Sequence, residues 1–130
     1  MAYATPYTPD AVGATITVSA EGTGGADTRT ITIQFTDAAG ANMDAIVRGE
    51  LIVLLNAAGD SFVVTGGSTG IAQGASGKVL ATVAKKVFKY ISTTAGLLVV
   101  TWLDTGTEVA FLGVVLPNGE IVISSALTNA

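Results

Sequence analysis

Residues 97–124 read LLVVTWLDTGTEVAFLGVVLPNGEIVIS. Three apolar runs, Leu97 to Leu103, Val109 to Leu116 and Ile121 to Ser124, are separated by Asp104-Thr-Gly-Thr107 and Pro117-Asn-Gly119. The runs are rich in β-branched residues, which fit a pleated, half-buried surface. Asn-Gly between apolar runs is a strong hairpin signal, because both residues adopt the positive φ that a tight turn requires. The stretch therefore predicts a three-stranded antiparallel meander, with both short segments as hairpin turns.

The same period of two continues upstream. Thr15 to Ala20 places Ile16 and Val18 on one face and Thr15, Thr17 and Ser19 on the other. Thr30 to Thr36 sets Ile31, Ile33 and Phe35 against Thr30, Thr32, Gln34 and Thr36. Ala45 to Asn56 predicts a long strand with Val47, Leu51, Val53 and Leu55 on one face. Its other face runs from Arg48 and Glu50 to Ile52 and Leu54, with Ile46 before them, so one end is expected to be covered. Phe62 to Thr65 predicts a short strand. Lys78 to Ile91 predicts two short strands, with a helix across its middle as the alternative reading. Glu21 to Asp27 and the glycine-rich Gly66 to Gly77 read as loops. Asp37-Ala-Ala-Gly40 and Asn56-Ala-Ala-Gly-Asp60 read as turns. About seven or eight strands at this spacing predict an all-β antiparallel sandwich. Residues 14–130 form that single domain. Residues 1–13, with Pro6 and Pro9, predict an extended N-terminal arm, since each proline biases its predecessor to extended backbone.

Composition excludes several classes of function. The chain has 130 residues, 49% apolar and 12% charged, which is incompatible with intrinsic disorder. Ten acidic residues against six basic ones give a net charge of −4, whereas binding nucleic acid through its phosphates needs a basic surface. With no Cys there is no disulfide or zinc-thiolate site, and with no His the commonest general base and metal ligand are missing. No apolar stretch approaches the roughly 20 residues of a membrane helix. The opening residues carry neither the basic nor the apolar segment of a secretory signal.

Four local patterns invite chemistry. Asp104-Thr-Gly matches the aspartic-protease tripeptide, but that chemistry needs a second aspartate to share the proton, and no second motif occurs. Gly77-Lys78 departs twice from a phosphate-binding loop, at Ala72 and Val79. Glu21 to Asp27 departs from a dinucleotide fingerprint, with Asp27 in place of its last glycine. Asp37, Asn42 and Asp44 offer oxygen ligands without calcium-loop spacing and read better as turn residues. Lys85, Lys86 and Lys89 form a basic cluster beside Phe88 and Tyr90, of the kind that guards a strand edge. Trp102 reads as a core residue or an interface anchor. No catalytic residue, cofactor or metal is assigned.

The segments ITIQFTDAAGANMD (31–44) and STTAGLLVVTWLDTGTEVAFLGVVLPNGEIVISSAL (92–127) resemble small Ig-like virion proteins of tailed bacteriophages. The resemblance is carried by Thr36 to Gly40, Thr93 to Gly96, and Leu116 to Gly119. It implies an Ig-like sandwich and a structural role on the virion, most plausibly as a capsid decoration (cement) protein on the major capsid protein lattice. The expected localisation is the capsid surface, after synthesis in the host cytoplasm. A head-fibre or tail component is the neighbouring alternative. A carbohydrate-binding or adhesive Ig-like module is a further one, with Trp102, Phe111, Tyr90 and Phe88 as candidate aromatics. For the decoration reading the contact residues are Tyr3, Pro6, Tyr7 and Pro9 in the arm. The partner is the major capsid protein or another virion protein, with copies forming a homo-oligomer or bound to a lattice, and with neither nucleic acid nor membrane as partner.

Overall fold

A computed structural model describes residues 11–22, 25–59, 61–63 and 70–129. Nine strands follow in order: β1 (Gly13–Val18), β2 (Thr28–Thr36), β3 (Arg48–Leu54), β4 (Gly70–Gln73), β5 (Lys78–Val83), β6 (Val87–Ile91), β7 (Leu97–Leu103), β8 (Phe111–Val115) and β9 (Ile121–Ala126). They form a four-stranded sheet, β1-β2-β7-β4, and a five-stranded sheet, β5-β6-β3-β8-β9. All pairings are antiparallel. The two sheets pack face to face as the all-β sandwich that the alternation predicts.

The core forms where the two inner faces meet. The four-stranded sheet contributes Ile31, Ile33, Phe35, Leu98, Val100 and Trp102, and the five-stranded sheet Leu51, Val53, Phe88, Tyr90, Leu112 and Val114. Phe35 stacks on Tyr90 across the gap, with ring centroids 5.2 Å apart and 14° between planes. β1 also lies against β9. The chain crosses to the first sheet for β4 and returns to the second for β5 and β6, which extend that sheet beyond β3.

The expected C-terminal meander does not form. β7 pairs with β2 and β4, while β8 and β9 belong to the opposite sheet. A tight hairpin between β7 and β8 would need positive φ, and no residue from Asp104 to Ala110 has it. Instead Asp104 Oδ1 accepts the Gly106 N–H at 2.9 Å, and the chain crosses between sheets. The Asn-Gly hairpin between β8 and β9 does form. Leu116 N donates to Glu120 O at 2.8 Å, with Gly119 at φ 89°.

Three further expectations are corrected. Phe62 makes an isolated bridge to Leu54 rather than a strand, and residues 64–65 lie outside the described ones. The predicted loop 66–77 contains β4, whose Ile71 is buried against β7. Glycines on both sides hide this four-residue strand, which pairing with a non-local partner stabilises. Residues 11–13 belong to the sandwich rather than the arm: Ala11 is 1% exposed and Val12 N donates to Thr36 O at 3.0 Å. The alternative helix over the middle of Lys78 to Ile91 gives way to the β5–β6 hairpin.

The turn segments behind the phage resemblance share one geometry. Gly40, Gly96 and Gly119 each donate to the carbonyl three residues earlier, at 2.9, 3.0 and 2.9 Å. In each, the first residue's N–H also donates four residues onward: Asp37 to Ala41, Thr93 to Leu97, Leu116 to Glu120. All three glycines sit at positive φ, so the repeated motif reports turn chemistry.

Candidate docking surface

The two outer faces of the sandwich differ in chemistry. On the four-stranded sheet, Thr15 and Thr17 of β1 flank Gln34 and Thr32 of β2, and Thr30 stands opposite Thr101 of β7. Hydroxyls and an amide surround the half-buried Leu97, Val99 and Leu103 of β7 on that surface.

The outer face of the five-stranded sheet exposes large apolar side chains beside the charges of Lys78, Arg48, Glu50 and Lys89. Register places Leu80, Lys89, Glu50, Val115 and Ile121 in one row across all five strands. A second row holds Val83, Val87, Ile52, Gly113 and Ile123. Leu80 is 66% exposed, Val83 50% and Ile121 45%. The register shift between Ala81 and Val83 turns both Leu80 and Val83 outward. Glu50 and Lys89 stand directly opposite each other amid this surface. A shallow depression of about 400 Å³ is lined by Arg48, Gly49, Glu50, Lys89 and Tyr90. A smaller one of about 210 Å³ borders β5.

Part of the face is covered by the chain itself, whereas the polar-to-apolar drift along β3 points to a separate covering partner. The Asn56–Gly59 turn folds over it, so that a Cβ on Gly59 would lie 3.0 Å from Ile123 Cδ1 and 4.0 Å from Leu54 Cδ1. Leu54 is thereby buried although it points away from the core. Gly113 leaves room for Ile52 and Leu54, whose carbons would stand 2.8 and 2.9 Å from a Cβ there.

The contact residues expected in the arm, Tyr3, Pro6, Tyr7 and Pro9, lie outside the described residues. Trp102 is fully buried in the core, and Phe88 and Tyr90 also face inward. Burial pushes the Tyr90 phenol well above its ordinary range. Phe62, which the sequence pattern did not single out, is half exposed. Asp37 Oδ1 accepts from Ala39 N and Ala41 N, so this candidate ligand serves its turn. Among the described residues, no group of three acidic side chains gathers to hold a metal. Lys78 opens β5 rather than a helix, Lys86 lies in the β5–β6 turn, and Lys89 stands on the outer face.

Asp104, the protease-like residue, is 1% exposed and caps its own turn. Its Oδ2 and the nearby Trp102 Nε1 have no hydrogen-bond partner among the described residues. This end of the sandwich is closed by a network that the pattern did not reveal. Asn129 Nδ2 donates to Asp27 O at 2.7 Å and to Asp104 O at 2.9 Å. Arg29 Nε donates to Asn129 Oδ1 at 2.9 Å, and its two terminal nitrogens donate to Ser19 O and Thr128 O.

No protein-family model, curated protein or solved structure matches this chain. Among the described residues no helix is long and apolar enough to cross a membrane.

Proposed function

We propose that this chain is a non-enzymatic structural virion protein, a capsid decoration protein that docks on the major capsid protein lattice. The observation that carries this reading is the contrast between its outer faces. One sets threonines around the half-buried Leu97, Val99 and Leu103, and the other exposes Leu80, Val83 and Ile121 beside the charges of Lys78, Arg48, Glu50 and Lys89. An apolar sheet face of this kind is stabilised by being covered. The rigid sandwich presents that face, and the N-terminal arm adds contact through Tyr3, Pro6, Tyr7 and Pro9. A stable contact requires about 800 Å² per partner. The resemblance of the three glycine turns to Ig-like phage virion proteins points the same way.

The test is to separate particles from the native source on a density gradient. This chain is then quantified by mass spectrometry against the major capsid protein. Hundreds of copies per particle support decoration. A handful places the chain in a tail or head fibre, and absence overturns the virion reading.

A further inference from the structure

β5 is an edge strand of the five-stranded sheet, paired with β6 on one side. Edge strands are normally blunted by charge or proline, because their free N–H and C=O groups template pairing with another chain. Here Val79 to Ala84 carries neither charge nor proline, Leu80 to Val83 is exposed throughout, and the bulge between Ala81 and Val83 leaves Lys78 to Ala81 as regular edge. Lysines stand only outside that run, at Lys78 and Lys85.

We infer that the β5 edge pairs with β5 of a second copy of this chain, antiparallel about a two-fold axis at Leu80. In that register Leu80 faces its counterpart and Val79 faces Ala81, while Lys78 comes level with the bulged Thr82. No like charges stand opposite one another, and such opposition would destabilise the pair. The two exposed leucines cover each other on the axis. The two five-stranded sheets become one continuous sheet, and their apolar outer faces join into one larger docking surface. The sequence itself argues against the arm as occupant. Pro6 and Pro9 are three apart, so their missing N–H groups fall on opposite sides of an extended segment. Whichever side turned toward β5, one proline would break the ladder. β5 carries no proline, and its bulge begins only after Ala81.

The test uses the full chain and its natural lack of cysteine. Facing residues in an antiparallel pair lie about 4.5–5.5 Å apart at Cα, within disulfide range. The expected results are a dimer by sedimentation equilibrium and near-complete oxidative dimerisation of Leu80→Cys. Val109→Cys, exposed on the β7–β8 crossing, should remain uncross-linked under the same conditions. Leu80→Lys should weaken the dimer at least tenfold with unchanged circular dichroism. A monomer at every concentration overturns the inference. So does a dimer in which Leu80→Cys links no better than Val109→Cys, or one lost on deletion of residues 1–10. Because Leu80→Cys is close in character to the native residue, cross-linking decides the matter even if Leu80→Lys misfolds. No lattice is present in these measurements, so failure here leaves the decoration reading to its own test.

Discussion

Tyr90 reaches over Gly49, its cross-strand partner, to donate its hydroxyl to Val115 O at 3.0 Å. The reach depends on glycine. A Cβ at position 49 would stand 2.6 Å from Tyr90 Oη and collide with the Val115 carbonyl. One small residue therefore lets an aromatic side chain tie β6 to β8 across β3, while its ring stacks on Phe35 of the opposite sheet.

Gly49→Ala is expected to destabilise the fold by about 1–3 kcal/mol, toward the upper end because the clash is with a backbone carbonyl. Tyr90→Phe keeps the stack and loses one hydrogen bond, at about 1 kcal/mol. Urea denaturation of both variants checks the order. Equal losses would mean that the close approach at Gly49 is not what limits the site.

Tyr90 also sets an alkaline limit. Its folded-state pKa lies above the unfolded value of 10.0, so the folded state holds the proton more tightly. The resulting stability is fully present below about pH 10 and falls as pH rises through the unfolded and toward the folded value. Denaturation midpoints measured from neutral to alkaline pH should show this fall in the native chain. It should be largely absent from Tyr90→Phe.

The Arg29–Asn129 lock makes the C-terminal segment part of the fold. Asn129→Ala removes three bonds from a buried position and is expected to cost about 2–3 kcal/mol. Arg29→Ala should cost less when Asn129 is already Ala, because the two share a bond. A double-mutant cycle by thermal denaturation reads the coupling. Strict additivity would dissolve the lock.

Deleting residues 1–10 should abolish lattice binding and leave the melting temperature within a few degrees of native. The cut stops before Ala11, which is buried, so a larger deletion would confound docking with folding. Co-sedimentation with particles stripped of this chain, beside a melting curve, separates the two effects. Undiminished binding would remove Tyr3, Pro6, Tyr7 and Pro9 from the interface.

Asp104→Asn should leave the Gly106 cap in place and the fold intact, because Asn Oδ1 accepts the same N–H. Peptide hydrolysis is expected from neither form at any acidic pH. Acid proteolysis by the native chain that disappears in the variant would revive the enzyme reading and overturn the non-enzymatic role.

Alternation in the sequence determined which residues face inward. Ile31, Ile33, Phe35, Leu51, Val53 and Trp102 are buried as their parity requires, because side-chain direction in a strand is a local property. Glycine likewise marked the turns at Gly40, Gly96 and Gly119, since positive φ is also local, but not the β5–β6 turn, where Lys85 takes it. Strand partnership is not local, and only the tertiary structure decided it. β7 forms its sheet with β2, more than sixty residues away in the chain, rather than with β8, because the intervening segment never adopts a hairpin turn. β4 becomes a strand because β7 offers it an edge, and Leu54 is buried because a turn folds back over the outer face. The docking face emerges in the same way. Leu80, Ile52, Val115 and Ile121 belong to four separate strands, and sheet registry alone sets them on one face.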